Sequence, residues 1–150
     1  MRLKLPPAVI FLIFVLLMYG LDRFLPFGEF DFYGRKMLIR ILAWVGMLTA
    51  VWAMILFFRK KTSIDPRAPE KASSLVTSGV YKFSRNPMYL ALLLFLLAWG
   101  LFLGNAFNTL LAAGFVSYMN TFQIKPEEEA LLSSFGEPYA RYCKEVRRWF

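Results

Sequence analysis

Residues 87–124 read PMYLALLLFLLAWGLFLGNAFNTLLAAGFVSYMNTFQI. Two apolar runs, about 87–103 and 106–124, are separated by little more than GNAFN, a tight turn between two helices. Each run approaches the twenty or so residues that an α-helix needs to cross a hydrocarbon core of about 30 Å. The stretch therefore predicts a membrane-embedded helical hairpin. Two further apolar runs precede it, at about 7–21, extending toward Phe27, and about 37–58. The second carries Arg40 near one end, where its side chain can snorkel to the headgroups.

Composition supports this reading. The chain has 150 residues, enough for one domain spanning 1–150, and 58% of them are apolar and 18% aromatic. Soluble domains sit nearer half apolar. The predicted fold is all-α: an integral membrane bundle of about four transmembrane helices with a cytoplasmic C-terminal helical tail at 125–150.

The net charge of +8 gathers in the connecting segments. Arg2 and Lys4 precede the first run, the loop 22–36 balances three acids with three bases, and the loop 59–86 holds seven bases against two acids. Four spans place the N-terminus, the basic loop and the C-terminus on one side, which the positive-inside rule makes cytoplasmic. The expected partner is the lipid bilayer (the inner membrane, in a bacterium) and not nucleic acid. No small-residue cleavage site follows the first run, which predicts a first span rather than a cleaved signal. One cysteine, Cys143, allows no internal disulfide, and the absence of histidine removes His-based triads and nearly all zinc or haem sites.

The tail reads as two short helices. Pro126 suits a first helical turn, and Glu127, Glu128 and Glu129 suit the positive end of a helix dipole. Gly136 can end that helix and Pro138 start the next, on which Tyr139, Tyr142, Val146 and Trp149 fall at spacings of three and four.

Polar groups collect at one threshold of the bundle. SGVYKFSRNPMY (78–89) abuts the third run, the fourth run ends in Gln123, and the glutamate-rich tail follows directly. A short hairpin brings these ends together, so Arg85, Asn86, Tyr89, Gln123, Glu127 and Glu128 are expected to line one pocket. Each has a plainer reading: Arg85 as a charge anchor, Asn86-Pro87 as a helix start, the glutamates as dipole partners, Tyr139 and Tyr142 as interfacial aromatics.

TSGVYKFSRNPMY (77–89), the apolar hairpin and EEEALLSSFGEPYARYCKEVRRW (127–149) together resemble the membrane methyltransferase superfamily, over roughly half of the chain. That superfamily includes isoprenylcysteine carboxyl methyltransferases and phospholipid N-methyltransferases. Arg85, Asn86, Pro87 and Tyr89 match its Arg-[His/Asn]-Pro-x-Tyr element. Glu127 and Glu128 match its paired glutamates, with Phe135, Gly136, Tyr139 and Tyr142 completing the second motif. The resemblance implies S-adenosylmethionine as cofactor, bound from the cytoplasm, and a lipid-like acceptor entering between the helices. On that basis the cofactor-binding residues are expected to be Gly79, Tyr81, Arg85, Asn86, Pro87, Tyr89, Glu127, Glu128 and Tyr139, and the catalytic ones Glu128, Gln123 and Asn86.

Chemistry accords with the resemblance. Methyl transfer from a sulfonium is an in-line displacement that needs alignment and no histidine. Arg85 can fork onto the carboxylate of the cofactor's methionine part, Glu127 or Glu128 can accept from its ammonium, and tyrosine faces can meet the sulfonium. Gly79 would let backbone approach the ligand. Glu128 is expected to orient the acceptor or take its proton, and Gln123 to set acceptor polarity. The carboxyl methyltransferases usually carry His at the position of Asn86 and Arg at that of Gln123. Phospholipid-amine and carboxylate acceptors both remain open. The competing class is a non-catalytic four-helix membrane subunit or small carrier, which would tolerate loss of Arg85 and Glu127.

Overall fold

The computed structural model describes residues 5–25, 27–60 and 74–150. Arg2, Lys4 and residues 61–73, on which part of the charge argument rests, lie outside the described residues. Six α-helices occupy the described chain: α1 (Pro7–Phe24), α2 (Arg35–Lys60), α3 (Pro87–Leu103), α4 (Asn108–Met119), α5 (Lys125–Phe135) and α6 (Glu137–Glu145). A 3₁₀ turn covers Gly79–Lys82, and a π-helical turn, Asn120–Ile124, joins α4 to α5. The fold is all-α, and its extended pairing among the described residues is a single bridge between Glu29 and Asn105.

α1 and α2 are long and apolar enough to cross a membrane, with windows of mean hydropathy 1.9 and 2.3. They are not core helices of a water-soluble domain. Leu12, Leu16, Trp44, Leu48 and Ile55 are exposed on the outside of the bundle. So wide an apolar surface is stable only in an apolar surrounding.

α3 is the central helix. Its Leu93 and Leu96 pack with Ile10 and Met18 of α1 and with Ala112, Phe115 and Met119 of α4 in one buried cluster. Phe14 meets Phe115 edge-on, with ring centroids 5.5 Å apart. α2 covers the other side of α3. There Gly46 lets the backbones approach, since a Cβ at that position would lie 3.3 Å from the Ala91 carbonyl oxygen.

The α3–α4 turn spans 104–107 and is stitched to the loop after α1. Phe30 N donates to Gly104 O (2.9 Å), Ala106 N to Gly28 O (2.9 Å) and Asn105 Nδ2 to Leu25 O (3.1 Å). Four helices thus run between two ends of the bundle, one closed by this knot and the other by α5 and α6.

Two local features differ from the sequence expectation. Pro126 does stand in the first turn of α5, as expected, but Ile124 before it is helical too, so α5 continues from α4 without a break. The proline has no N–H, and its ring crowds the carbonyl four residues back. The ladder widens just before it, and Lys125 N donates to Asn120 O in a π-type step. The second tail helix also stops short. α6 ends at Glu145, and Val146 is extended (φ −123°, ψ 135°), so Trp149 does not share a helical face with Tyr139 and Tyr142. Residues 146–149 instead form a strap whose carbonyls bond to the 84–86 loop.

Candidate active site

A cavity of about 520 Å³ lies where the end of α2, the start of α3, α5 and α6 converge. Such a volume falls within the range of small-molecule sites. Arg85, Asn86, Tyr89, Glu127 and Glu128 form one wall, and Tyr81, Tyr139 and Tyr142 add aromatic faces. The rest is apolar. Ala50, Met54 and Phe57 come from successive turns of α2, opposite Ala91, Leu92 and Phe95 of α3. Seven residues of helix correspond to about 10 Å, so the cavity continues from its polar end well in between the two helices.

The polar wall is built from three elements. Asn86 and Pro87 start α3, Pro87 in the first turn, where its missing N–H costs nothing. Asn86 stands at the N-cap position, but its side chain makes no capping bond; its Nδ2 donates to Arg148 O at 3.0 Å. One turn on, the Tyr89 hydroxyl donates to Glu127 Oε1. The Tyr142 hydroxyl donates to Tyr81 O (2.6 Å), tying α6 to the 3₁₀ turn, and Phe57 meets the Tyr81 ring edge-on at 5.6 Å.

The two glutamates differ in their surroundings. Glu128 accepts from Arg148 Nε (2.9 Å) and Nη2 (2.7 Å) in a two-point pair, and Arg85 Nη2 lies 3.2 Å from its Oε1. Among the described residues no cation pairs with Glu127. Burial pushes its carboxyl up to about 8; the Tyr89 hydrogen bond works against that shift, and the neighbouring Glu128 adds to it. Burial likewise raises the hydroxyls of Tyr81, Tyr139 and Tyr142, so all three are neutral donors. Arg85 Nε is buried and has no hydrogen-bond acceptor among the described residues.

Of the residues expected to bind cofactor or act in catalysis, Tyr81, Arg85, Asn86, Pro87, Tyr89, Glu127, Glu128 and Tyr139 share the cavity wall, joined by Tyr142 of the second motif. Two of the expected site residues do not. Gly79 faces α2, and a Cβ there would lie 2.8 Å from Leu56 Cδ1 and 3.0 Å from Trp52 Nε1. Its φ of +61° and this close approach give the glycine a packing role in seating the 3₁₀ turn. Gln123 is fully buried within the π-helical turn, where its Nε2 donates to Leu5 O at 2.9 Å, away from the lining. The widened turn rotates Gln123 toward the start of α1. Sequence reasoning did not single out Arg148, which holds Glu128, or the α2 residues Met54 and Phe57. The strap carries no periodic signal, and α2 is apolar all round, so no face of it stands out.

A bundle with exposed apolar helices and a cavity that is charged at one end and apolar along its depth defines a class: membrane helical bundles with an amphipathic pocket. The chain belongs to the phospholipid methyltransferase family, whose model matches residues 32–138, more than half of the sequence. It is a membrane methyltransferase by family. An uncharacterized protein of Haemophilus influenzae is 53% identical over 62 residues, 41% of this chain and 98% of that protein. A protein-S-isoprenylcysteine O-methyltransferase of Schizosaccharomyces pombe is 36% identical over 72 residues, 48% of this chain but only 30% of that enzyme.

Proposed function

We propose that this protein transfers a methyl group from S-adenosylmethionine to a lipid or lipid-like acceptor, and that the cavity between α2, α3 and the tail is where the two meet. The observation that carries this reading is the charge pattern of the polar wall. Arg85 has an unpartnered buried donor, and Glu127 lies nearby without a cation among the described residues. That pair complements a zwitterionic amino acid, which is the chemistry of the cofactor's methionine part. The cofactor, when bound, supplies an electrophilic methyl on a sulfonium.

The chain's own residues do the rest. Arg85 grips the carboxylate and Glu127 accepts from the ammonium. Tyr81, Tyr89 and Tyr139 present aromatic faces suited to a cation. Pro87 fixes the start of α3, so Asn86 and Tyr89 are held in position against the tail. Glu128 and Asn86 orient the acceptor's reactive end, while Met54, Phe57, Leu92 and Phe95 receive its apolar part and exclude water. The acceptor enters from the bilayer between helices, and the cofactor from the side of α5 and α6, taken as cytoplasmic in a four-span arrangement. A phospholipid amine and an isoprenylcysteine-type carboxylate both suit this wall.

The test is calorimetric titration of the detergent-purified protein with S-adenosylhomocysteine, beside an Arg85→Ala/Glu127→Ala variant. Saturable binding by the wild type that the folded variant loses is expected, followed by methyl incorporation into a membrane lipid extract. A folded wild type that binds neither this ligand nor S-adenosylmethionine, in lipid as well as detergent, would overturn the reading.

A further inference from the structure

The C-terminal strap makes more bonds to the cavity wall than its position after the last helix would require. Arg147 O accepts from Arg85 N at 2.9 Å. Arg148 O accepts from both Ser84 Oγ (3.1 Å) and Asn86 Nδ2 (3.0 Å). The Arg148 guanidinium holds Glu128 at two points, and Trp149 Nε1 donates to Asn120 Oδ1 at 3.0 Å. Three consecutive residues thereby join the 84–86 loop to the π-helical turn and α5, which lie more than thirty residues further along the chain.

We propose that residues 147–149 are a positioning latch for the methyl-transfer site, with Arg148 as its principal residue. Arg148 is absent from the cavity lining, so it acts through Asn86 and Glu128 rather than on a ligand. Its carbonyl takes the amide of Asn86, which explains why that side chain does not cap α3. Its guanidinium shares Glu128 with Arg85: Glu128 Oε2 and Oε1 both accept from Arg148, and Arg85 Nη2 approaches Oε1. Arg85 consequently has one contact on Glu128 and its buried Nε unengaged. Remove Arg148, and Glu128 is left to Arg85 alone. Arg85 would then close on Glu128 and lose the free donor geometry that a ligand carboxylate needs. The latch thus limits Arg85 to a single contact on Glu128 and leaves its Nε free for a ligand. A two-point guanidinium pair is well suited to that task, whereas a lysine offers only a point charge.

This inference rests on the proposed cofactor site, and its test separates the two. Hydrogen exchange at the Arg85 and Asn86 amides is compared in the unliganded wild type, Arg148→Ala and Arg148→Lys, each in detergent. S-adenosylhomocysteine affinity is then measured on the same preparations. The expected result for Arg148→Ala is about tenfold faster exchange at 85–86, unchanged protection of α3 and α4, and about tenfold weaker binding. Arg148→Lys is expected to fall between, and it carries the test if Arg148→Ala loses protection throughout. Unchanged exchange would overturn the latch. So would faster exchange with unchanged affinity, which would make the strap merely structural, and so would weaker binding with unchanged exchange, which would place Arg148 on the ligand. A wild type that does not bind the ligand overturns the methyl-transfer reading alone, and the exchange comparison still decides whether the strap orders the loop.

Discussion

At the scale of single residues, Glu127 is where the site and folding stability meet. Unfolded, its carboxyl loses its proton near 4.5, and folded it keeps that proton to about 8, chiefly because of burial. Between those values the folded state binds more protons than the unfolded one, so stability falls as pH rises. The contribution is fully present below about 4.5 and is lost as pH climbs through about 8. Thermal unfolding of the unliganded protein is therefore expected to show a melting temperature that declines from pH 5 to pH 9, and a Glu127→Gln variant to show a flatter profile and the higher value at pH 9. An equally steep profile in that variant would remove the assignment. The same proton reports on the ligand. An ammonium docking on Glu127 ionises it, so binding of S-adenosylhomocysteine at pH 7 should release a proton, seen as a binding enthalpy that depends on the ionisation heat of the buffer. The sequence set Glu127 and Glu128 side by side as cofactor ligands, and the expected catalytic role went to Glu128, but no sequence feature set their surroundings apart. Only the fold distinguishes them, by giving Arg85 and Arg148 to one and Tyr89 to the other.

At the scale of elements, the 3₁₀ turn Gly79–Lys82 shows how a residue outside the cavity can govern it. Gly79 has φ +61°, and its missing Cβ is where Leu56 and Trp52 of α2 pack. An alanine there pays left-handed strain of roughly 1–2 kcal/mol before the steric contact is counted. It also pushes the turn away from α2, and the turn carries Tyr81, whose carbonyl accepts from Tyr142. Gly79→Ala is thus expected to lower the melting temperature by several degrees and to weaken S-adenosylhomocysteine binding together. Gly20, within α1, has nothing within 4 Å of its Cβ position. Gly20→Ala is expected to leave binding unchanged and to be neutral or slightly stabilising, because alanine favours helix. Equal effects at both positions would show that Gly79 does not seat the turn. The four apolar runs, the hairpin turn and the break at Gly136 were legible because hydrophobic blocks, turn glycines and prolines act locally. The π-helical turn and the strap were not. Each arises from competition between a local helical preference and distant partners: Pro126 against the α4 ladder in one case, and Ser84, Arg85 and Asn86 against a further turn of α6 in the other.

At the scale of the whole molecule, one geometric fact organises the rest: both ends of the hairpin are fastened, but in different ways. At one end backbone bonds join 28–30 to 104–106. At the other, side chains of α3, α5 and α6 form a charged cavity, with the strap bonded behind its wall. The cavity wall was readable in outline because the turn 104–107 is short, which forces the start of α3 and the end of α4 to one end of the bundle. What pattern could not supply was the depth of the cavity, since Ala50, Met54 and Phe57 belong to a helix whose apolar surface is nearly uniform. If the apolar helices cross a bilayer, the knot and the cavity must face opposite aqueous phases. Tyr33, fully exposed beside the knot, and Ser134, exposed on α5, report on the two sides. In a Cys143→Ser background, Tyr33→Cys and Ser134→Cys are therefore expected to react with a membrane-impermeant maleimide in vesicles of opposite orientation: Ser134→Cys when the cytoplasmic face is outward, Tyr33→Cys when it is inward. Labelling of both from the same face would mean that α2, α3 and α4 do not make an odd number of crossings between these two positions. The cavity's apolar depth would then need a lining other than the bilayer's own lipids to fill it.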